Sequence, residues 1–230
     1  MKTFRKIISA VLAISMIAAM CFVFSSCGKK TKFTVGIVQL VPHVALDAAT
    51  EGFKQALIDK LGADNVTFDY QNATGDSAVC TTIVNSFVSK NVDLIMANAT
   101  PALQAAAAAT LTIPVLGTSI TEYGVALGLK NFNGTVGGNV SGTSDLAPLS
   151  EQGQMMIDLF PEAKNIGLLY CSGEPNSAYQ VHVIEEFLTG KGLTVTRYSF
   201  SDSNDLRAVM EKAAKSKPQM AIKILLFIRL

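Results

Sequence analysis

From residue 33 onward, short apolar runs rich in β-branched residues alternate with longer stretches whose apolar residues recur at helical spacing, and that alternation admits few folds. Residues 33–40, FTVGIVQL, carry no charge and predict a buried strand. Pro42 and His43 break it, and Leu46, Ala49, Phe53, Leu57 and Leu61 then mark a helix that Gly62 stops. A strand is expected at 66–70, followed by a helix capped by Asp76, with Val79, Cys80, Ile83, Val84, Phe87 and Val88 on one face and Asn91 at its end. A third strand at 93–97, an alanine-rich helix and a short strand at 114–116 complete the run. Strands alternating with helices predict a parallel sheet with helices on its faces.

Between residues 117 and 142 the pattern weakens into glycine and asparagine, as in NFNGTVGGNVSGTSD, which reads as irregular chain crossing between two bodies. Alternation then resumes. A helix is marked by Leu149, Met156, Leu159 and Phe160, a strand by 166–170, and a helix by Val181, Ile184 and Leu188 closed by Gly190. A strand at 194–198, a helix at 205–217 and a strand beginning at Met220 follow. The fold class expected is α/β, as two Rossmann-like lobes with parallel sheets. Ligands of such sheets bind in the crevice at the carboxyl ends of the strands. Residues 41–43, 71–72, 98–100, 117–119 and 171–177 should therefore line it; they are polar and nearly uncharged.

The first residues stand apart. Lys2, Arg5 and Lys6 precede an apolar run from 7 to 23, and Ser25 and Ser26 stand directly before Cys27. This is the pattern of a bacterial lipoprotein signal over 1–26, with Cys27 as the acylated residue and a cell-membrane-anchored, extracytoplasmic protein as its consequence. A membrane-spanning anchor is the other reading of the apolar run. Removing 1–26 takes three of 19 basic residues and none of 18 acidic ones, so formal charge falls from +1 to −2. Nothing basic remains to hold a phosphate backbone, which excludes nucleic acid as a partner. Cys80 and Cys171 remain, in no metal-binding spacing, and read as two buried thiols, with a disulfide between them as the lesser alternative. Five Asn-x-Ser/Thr triplets, at Asn65, Asn72, Asn98, Asn133 and Asn139, read as turn chemistry rather than sugar sites.

Catalytic signals are missing. The sequence has no GxSxG, HExxH, Walker A or GxGxxG pattern, and its two histidines are His43 after the first strand and His182 within a helix. No catalytic residue, metal ligand or cofactor is expected. Thr100 instead reads as a helix N-cap and Pro101 as the first helical residue, leaving Ala102 and Leu103 with free N–H groups for an anion such as a carboxylate. Similar chemistry recurs at residues 119–121 and 174–177.

Five stretches carry a resemblance: VGIVQLVPHVALDAATEGFKQAL, ANATPALQAA, PVLGTSITEYGVALGL, GGNVSGTSDLAPLSEQ and IGLLYCSGEPNSAYQV. In that order the chain resembles the tryptophan- or tyrosine-binding lipoproteins of ABC transporters, from about residue 32 to about 220. The resemblance implies the type I periplasmic binding protein fold, with lobes at 27–140 and 141–230 closing on an aromatic amino acid that is passed to a permease and its ATPase. It implies a pocket of Thr100, Pro101, Ala102, Ser119 and Thr121 on one side and Glu174, Asn176 and Ser177 on the other. Asp145 reads as a helix N-cap, and Tyr123, Tyr170 and Tyr179 as core residues before pocket walls. The ending AIKILLFIRL departs from the family pattern, so the second lobe is expected to be incomplete through truncation or frameshift. The same fold binding a branched-chain amino acid, purine or sugar, and an exported enzyme, are the alternatives.

Overall fold

The computed structural model describes residues 32–201, 203–216 and 220–223. The signal sequence expected at 1–26, the lipidation site Cys27 and residues 224–230 lie outside them.

The first sheet is built from β1 (Phe33–Gln39), β2 (Val66–Asn72), β3 (Leu94–Asn98), β4 (Val115–Ile120) and β5 (Val140–Ser144), in the order β2-β1-β3-β4-β5. Strands β1, β3, β4 and β5 run parallel. The connecting helices are α1 (Val44–Leu61), α2 (Ser77–Ser89), α3 (Thr100–Ala109) and the short α4 (Tyr123–Leu127). A three-stranded parallel sheet follows, ordered β7-β6-β8, from β6 (Asn165–Cys171), β7 (Thr194–Phe200) and β8 (Met220–Lys223). Its helices are α5 (Leu149–Leu159), α6 (Pro175–Gly190) and α7 (Ser203–Lys215).

Side-chain alternation explains why the middles of β1 and β3 are apolar on both faces. Val35, Ile37 and Met96 point to one face and pack against Phe53, Leu57, Ile58 and Leu61 of α1. Val38, Ile95 and Ala97 point to the other and join Cys80, Ile83, Val84 and Phe87 of α2 with Ala102, Leu103 and Ala106 of α3. With both faces covered, a charge in either strand would be buried. Phe87 is fully enclosed, and full burial of a side chain of this kind contributes roughly 1.5–3 kcal/mol. Gly36 makes room for it: a Cβ there would lie 2.6 Å from the Phe87 ring. In the second sheet Leu149, Met156, Ile166, Leu168, Val181, Ile184 and Leu188 form one core, and Leu169, Tyr198, Phe200 and Ala213 another.

Caps set the helix ends. Asp76 Oδ1 accepts from Ala78 N at 2.7 Å to start α2, and His43 Nδ1 accepts from Ala45 N at 3.2 Å to start α1. Two elements were not expected. The five-residue α4 starts where the Glu122 carboxylate accepts from Gly124 N and Val125 N. Strand β5 lies inside the stretch read as irregular, and it carries the first sheet to Ser144, past the lobe boundary expected at residue 140.

Strand β5 depends on Gly142, whose φ is +152° and whose substituent would stand 2.1 Å from the Gly117 carbonyl oxygen. Gly142→Ala should destabilise the protein by about 1–3 kcal/mol through forced displacement of β4 from β5. An unchanged thermal unfolding midpoint would contradict that pairing.

Candidate functional site

The strand order reverses direction between β1 and β3, the place where open α/β sheets leave a crevice at the strand carboxyl ends. Two amides are buried there. Gln39 ends β1 and uses its whole side chain: Nε2 donates to the Val41 carbonyl at 2.9 Å and to Asp47 Oδ1 at 2.6 Å. Its Oε1 accepts from Thr50 Oγ at 2.7 Å and faces Asn98 Nδ2 at 3.4 Å. Asn98 ends β3, and its Nδ2 donates to the Leu46 carbonyl at 2.8 Å and to Thr50 Oγ at 3.0 Å. The loop after β1, the first turns of α1 and the end of β3 are thus tied together without a charge pair.

Beyond Asn98 the backbone turns sharply. Ala99 has φ +93° and ψ 158°, a region nearly reserved for glycine, and it occupies the N-cap position of α3. This corrects the sequence expectation for Thr100. Thr100 is already helical, makes no capping bond, and its hydroxyl is enclosed with no partner. Pro101 and Ala102 are buried beside it. The Leu103 N–H, expected to be free, makes the first helical bond, to Ala99 O at 3.0 Å, so the N–H groups that precede it are those of Thr100 and Ala102.

On the neighbouring strand, Ser119 also has positive φ (+56°) and falls where the β4–β5 register shifts. It lies within β4, not after it. Thr121 follows, buried, with its carbonyl accepting from Ser144 Oγ at 2.8 Å and its hydroxyl bonded to Asp145. Asp145 is no helix cap, since α5 begins after Pro148; its backbone N donates to the Ile120 carbonyl at 3.0 Å. Asp145 is solvent-exposed as a residue, yet desolvation of its carboxyl outweighs its own backbone bond and the Thr121 bond and raises it above the ordinary carboxylate range.

The second sheet has its own reversal, between β6 and β8. The turn after β6 places Glu174 at the N-cap of α6, Pro175 in the first turn, and Asn176 and Ser177 behind it. Glu174, Asn176 and Ser177 are all buried, and Ser177 Oγ donates to Glu174 Oε2 at 3.4 Å. Gln180, one turn further, is 1% exposed. Helix α4 touches α3 on one side and α6 on the other, which links the two halves of the expected residue set.

Among the described residues, four buried side-chain oxygens have no hydrogen-bond partner: Asn98 Oδ1, Thr100 Oγ, Asn176 Oδ1 and Gln180 Oε1. Each follows a strand end at one of the two reversals or lies on α6 just beyond it. Leaving such a group unmade costs about 1–3 kcal/mol, so each of the four calls for an explanation. Gln180 was absent from the sequence expectations. Its signal was available: with Asn176 it puts two amides at i and i+4, beside the apolar face of Val181, Ile184 and Leu188. Gln39 and Asn98 gave a similar signal, a lone amide ending each apolar strand.

The remaining candidates take structural positions. His43 caps α1, and His182 is exposed, 3.5 Å from Glu186. Cys80 and Cys171 are buried and not joined by a disulfide, and the Cys171 thiol donates to the Ser201 carbonyl at 3.4 Å. Tyr123, Tyr170 and Tyr179 pack on the cores, with the Tyr123 hydroxyl 3.0 Å from the Gly117 carbonyl. Of the Asn triplets, Asn72 and Asn133 accept from the N–H two residues on, while Asn65 and Asn139 donate to nearby carbonyls. Among the described residues, no group of three His, Cys, Asp or Glu is placed to hold a metal, and no helix is long and apolar enough to cross a membrane.

Thr100→Val keeps the shape and removes the orphaned hydroxyl. Without ligand it should leave stability unchanged or raise it by up to about 1 kcal/mol in urea denaturation, whereas loss of a working hydrogen bond would lower it. Because folding raises the Asp145 pKa, its contribution is fully present below the unfolded pKa and declines as pH rises through the folded one. Asp145→Asn should therefore stabilise the protein at neutral pH and lose that advantage in acid, as unfolding midpoints across pH would record.

The ABC transporter substrate binding protein family matches residues 34–226. A tyrosine-binding protein of Clostridioides difficile (strain R20291) is 39% identical over 180 residues, covering 77% of this chain and 52% of that protein. Among solved structures, an ABC domain in complex with L-Trp from Streptococcus pneumonia superposes with a TM-score of 0.77 at 31% identity, over 84% of this chain and 65% of that one. A ligand-free, open substrate binding protein with adhesive properties from Clostridium difficile gives a TM-score of 0.60 at 36% identity, over 83% and 65%. The chain thus spans about half the length of the tyrosine-binding relative and 65% of the two solved chains. With its parallel sheets and the match across residues 34–226, the chain has the type I periplasmic binding protein fold and belongs to the ABC transporter substrate binding protein family.

Proposed function

We propose that this chain is the extracytoplasmic solute receptor of an ABC importer and binds an aromatic amino acid, tryptophan or tyrosine, between its two lobes without altering it. The observation that carries this reading is the set of unpartnered buried oxygens after the strand ends of both sheets, at Asn98 and Thr100 on one side and Asn176 and Gln180 on the other. The ligand carboxylate docks at the start of α3, where the Thr100 and Ala102 N–H groups and the positive end of the helix favour an anion. Pro101 offers no N–H and keeps the turn tight. Ser119 and Thr121 complete this wall, and Glu174, Asn176 and Ser177 close from the second lobe. The closed form is stabilised by those added contacts, and the permease and its ATPase read that form.

The lobes divide after β5, and the polypeptide is held at the membrane by lipid on Cys27 once residues 1–26 are removed. The names of the tyrosine-binding relative and the L-Trp complex support an aromatic ligand over a sugar or purine. Affinity should be micromolar or tighter, on the order of −8 kcal/mol.

Isothermal titration of the chain with L-tryptophan, L-tyrosine, L-leucine, adenosine and glucose tests the assignment. Micromolar binding of an aromatic amino acid, with the others at least about tenfold weaker, is expected. Preference for leucine, adenosine or glucose would redirect the assignment to another solute.

A further inference from the structure

We infer that Gln180, which the family resemblance did not bring forward, is a ligand-contacting residue: with Asn176 it forms a pair of acceptors for the cationic donor end of the ligand. This rests on the binding function proposed above and deepens it by assigning each end of the ligand to a lobe.

Asn176 and Gln180 lie four residues apart on α6, so they share one face of the helix. Both are more than nine-tenths buried, at 3% and 1% exposure. Each leaves its carbonyl oxygen, Oδ1 and Oε1, without a donor. Amide oxygens are placed this way at a cost unless a donor arrives, and a neutral core position would have been filled by an apolar residue, as at Val181, Ile184 and Leu188. Glu174, 6% exposed at the head of the same helix, adds carboxyl oxygens, one of which takes the Ser177 hydroxyl. This end of α6 is therefore rich in acceptors.

An acceptor-rich wall suits an ammonium group and repels a carboxylate. The start of α3 has the opposite character: the Thr100 and Ala102 N–H groups that precede the first helical bond, a positive dipole end and the Thr100 hydroxyl. A zwitterion spans the two with its carboxylate toward the first lobe and its ammonium toward Asn176 and Gln180. Hydrogen bonds to a charged group are the strong kind, so loss of one acceptor should weaken binding by roughly 10- to 100-fold.

The test titrates L-tryptophan and indole-3-propionate, which lacks the ammonium, into the unmodified chain, Gln180→Leu and Gln180→Glu. Gln180→Leu should lose roughly 10- to 100-fold in affinity for L-tryptophan and nothing for indole-3-propionate, while Gln180→Glu, which keeps the acceptors, retains L-tryptophan. Equal losses for both probes in Gln180→Leu, or none for either, would overturn the inference while leaving the binding function standing. Failure of the unmodified chain to bind either probe would instead overturn the binding function, and the inference with it. Circular dichroism of each variant identifies a folding loss, and Gln180→Met, which also removes the amide acceptor but keeps the chain length, carries the comparison if Gln180→Leu does not fold.

Discussion

The hydrogen bonds joining Gln39, Thr50 and Asn98 hold the place where the first sheet changes direction. At that point the chain leaves β1 and β3 for helices on opposite faces, and an apolar pair would leave the loop after β1 untethered. Gln39 resolves this with donors to Val41 and Asp47 and acceptors toward Thr50 and Asn98. Two amides and a hydroxyl thus tie these strand ends together, with the Asp47 carboxylate as one acceptor, and the turn into α3 follows Asn98 directly.

What rises from it is costly by design of the backbone as well as of the side chains. Ala99 and Ser119, at the ends of adjacent strands, both have positive φ, and strained residues of this kind cost of order 1–3 kcal/mol each. Thr100 and Asn98 add unmade hydrogen bonds beside them. The cores elsewhere show the contrary habit, with close apolar packing around Phe87 and around Leu188. Unfavourable terms gathered at strand ends, against a well-packed background, support the proposed binding role, in which a ligand would satisfy the groups held there.

Most of the architecture was legible because buried parallel strands and their helices repeat one pattern. Asp76 and Gly62 marked helix ends correctly, since capping chemistry is local. Strand β5 and helix α4 escaped notice because each has five residues and sits among glycines, too short for periodicity to speak. Thr100 was misplaced by one position because a hydroxyl before proline normally caps; here Ala99 takes that role through a conformation no side-chain preference announces. Gln180 was hidden by context, being a polar residue in the middle of a helix that also carries the exposed polar residue His182.

The claim on which all of this turns is that polar groups of the two lobes are completed by one and the same ligand. Hydrogen–deuterium exchange with and without L-tryptophan tests it most directly. Slowed exchange is expected together at the start of α3, around Ala102 and Leu103, and at the start of α6, around Asn176 and Ser177, with both effects saturating at the same concentration. Protection confined to one helix, or absent from both while ligand is bound, would contradict it.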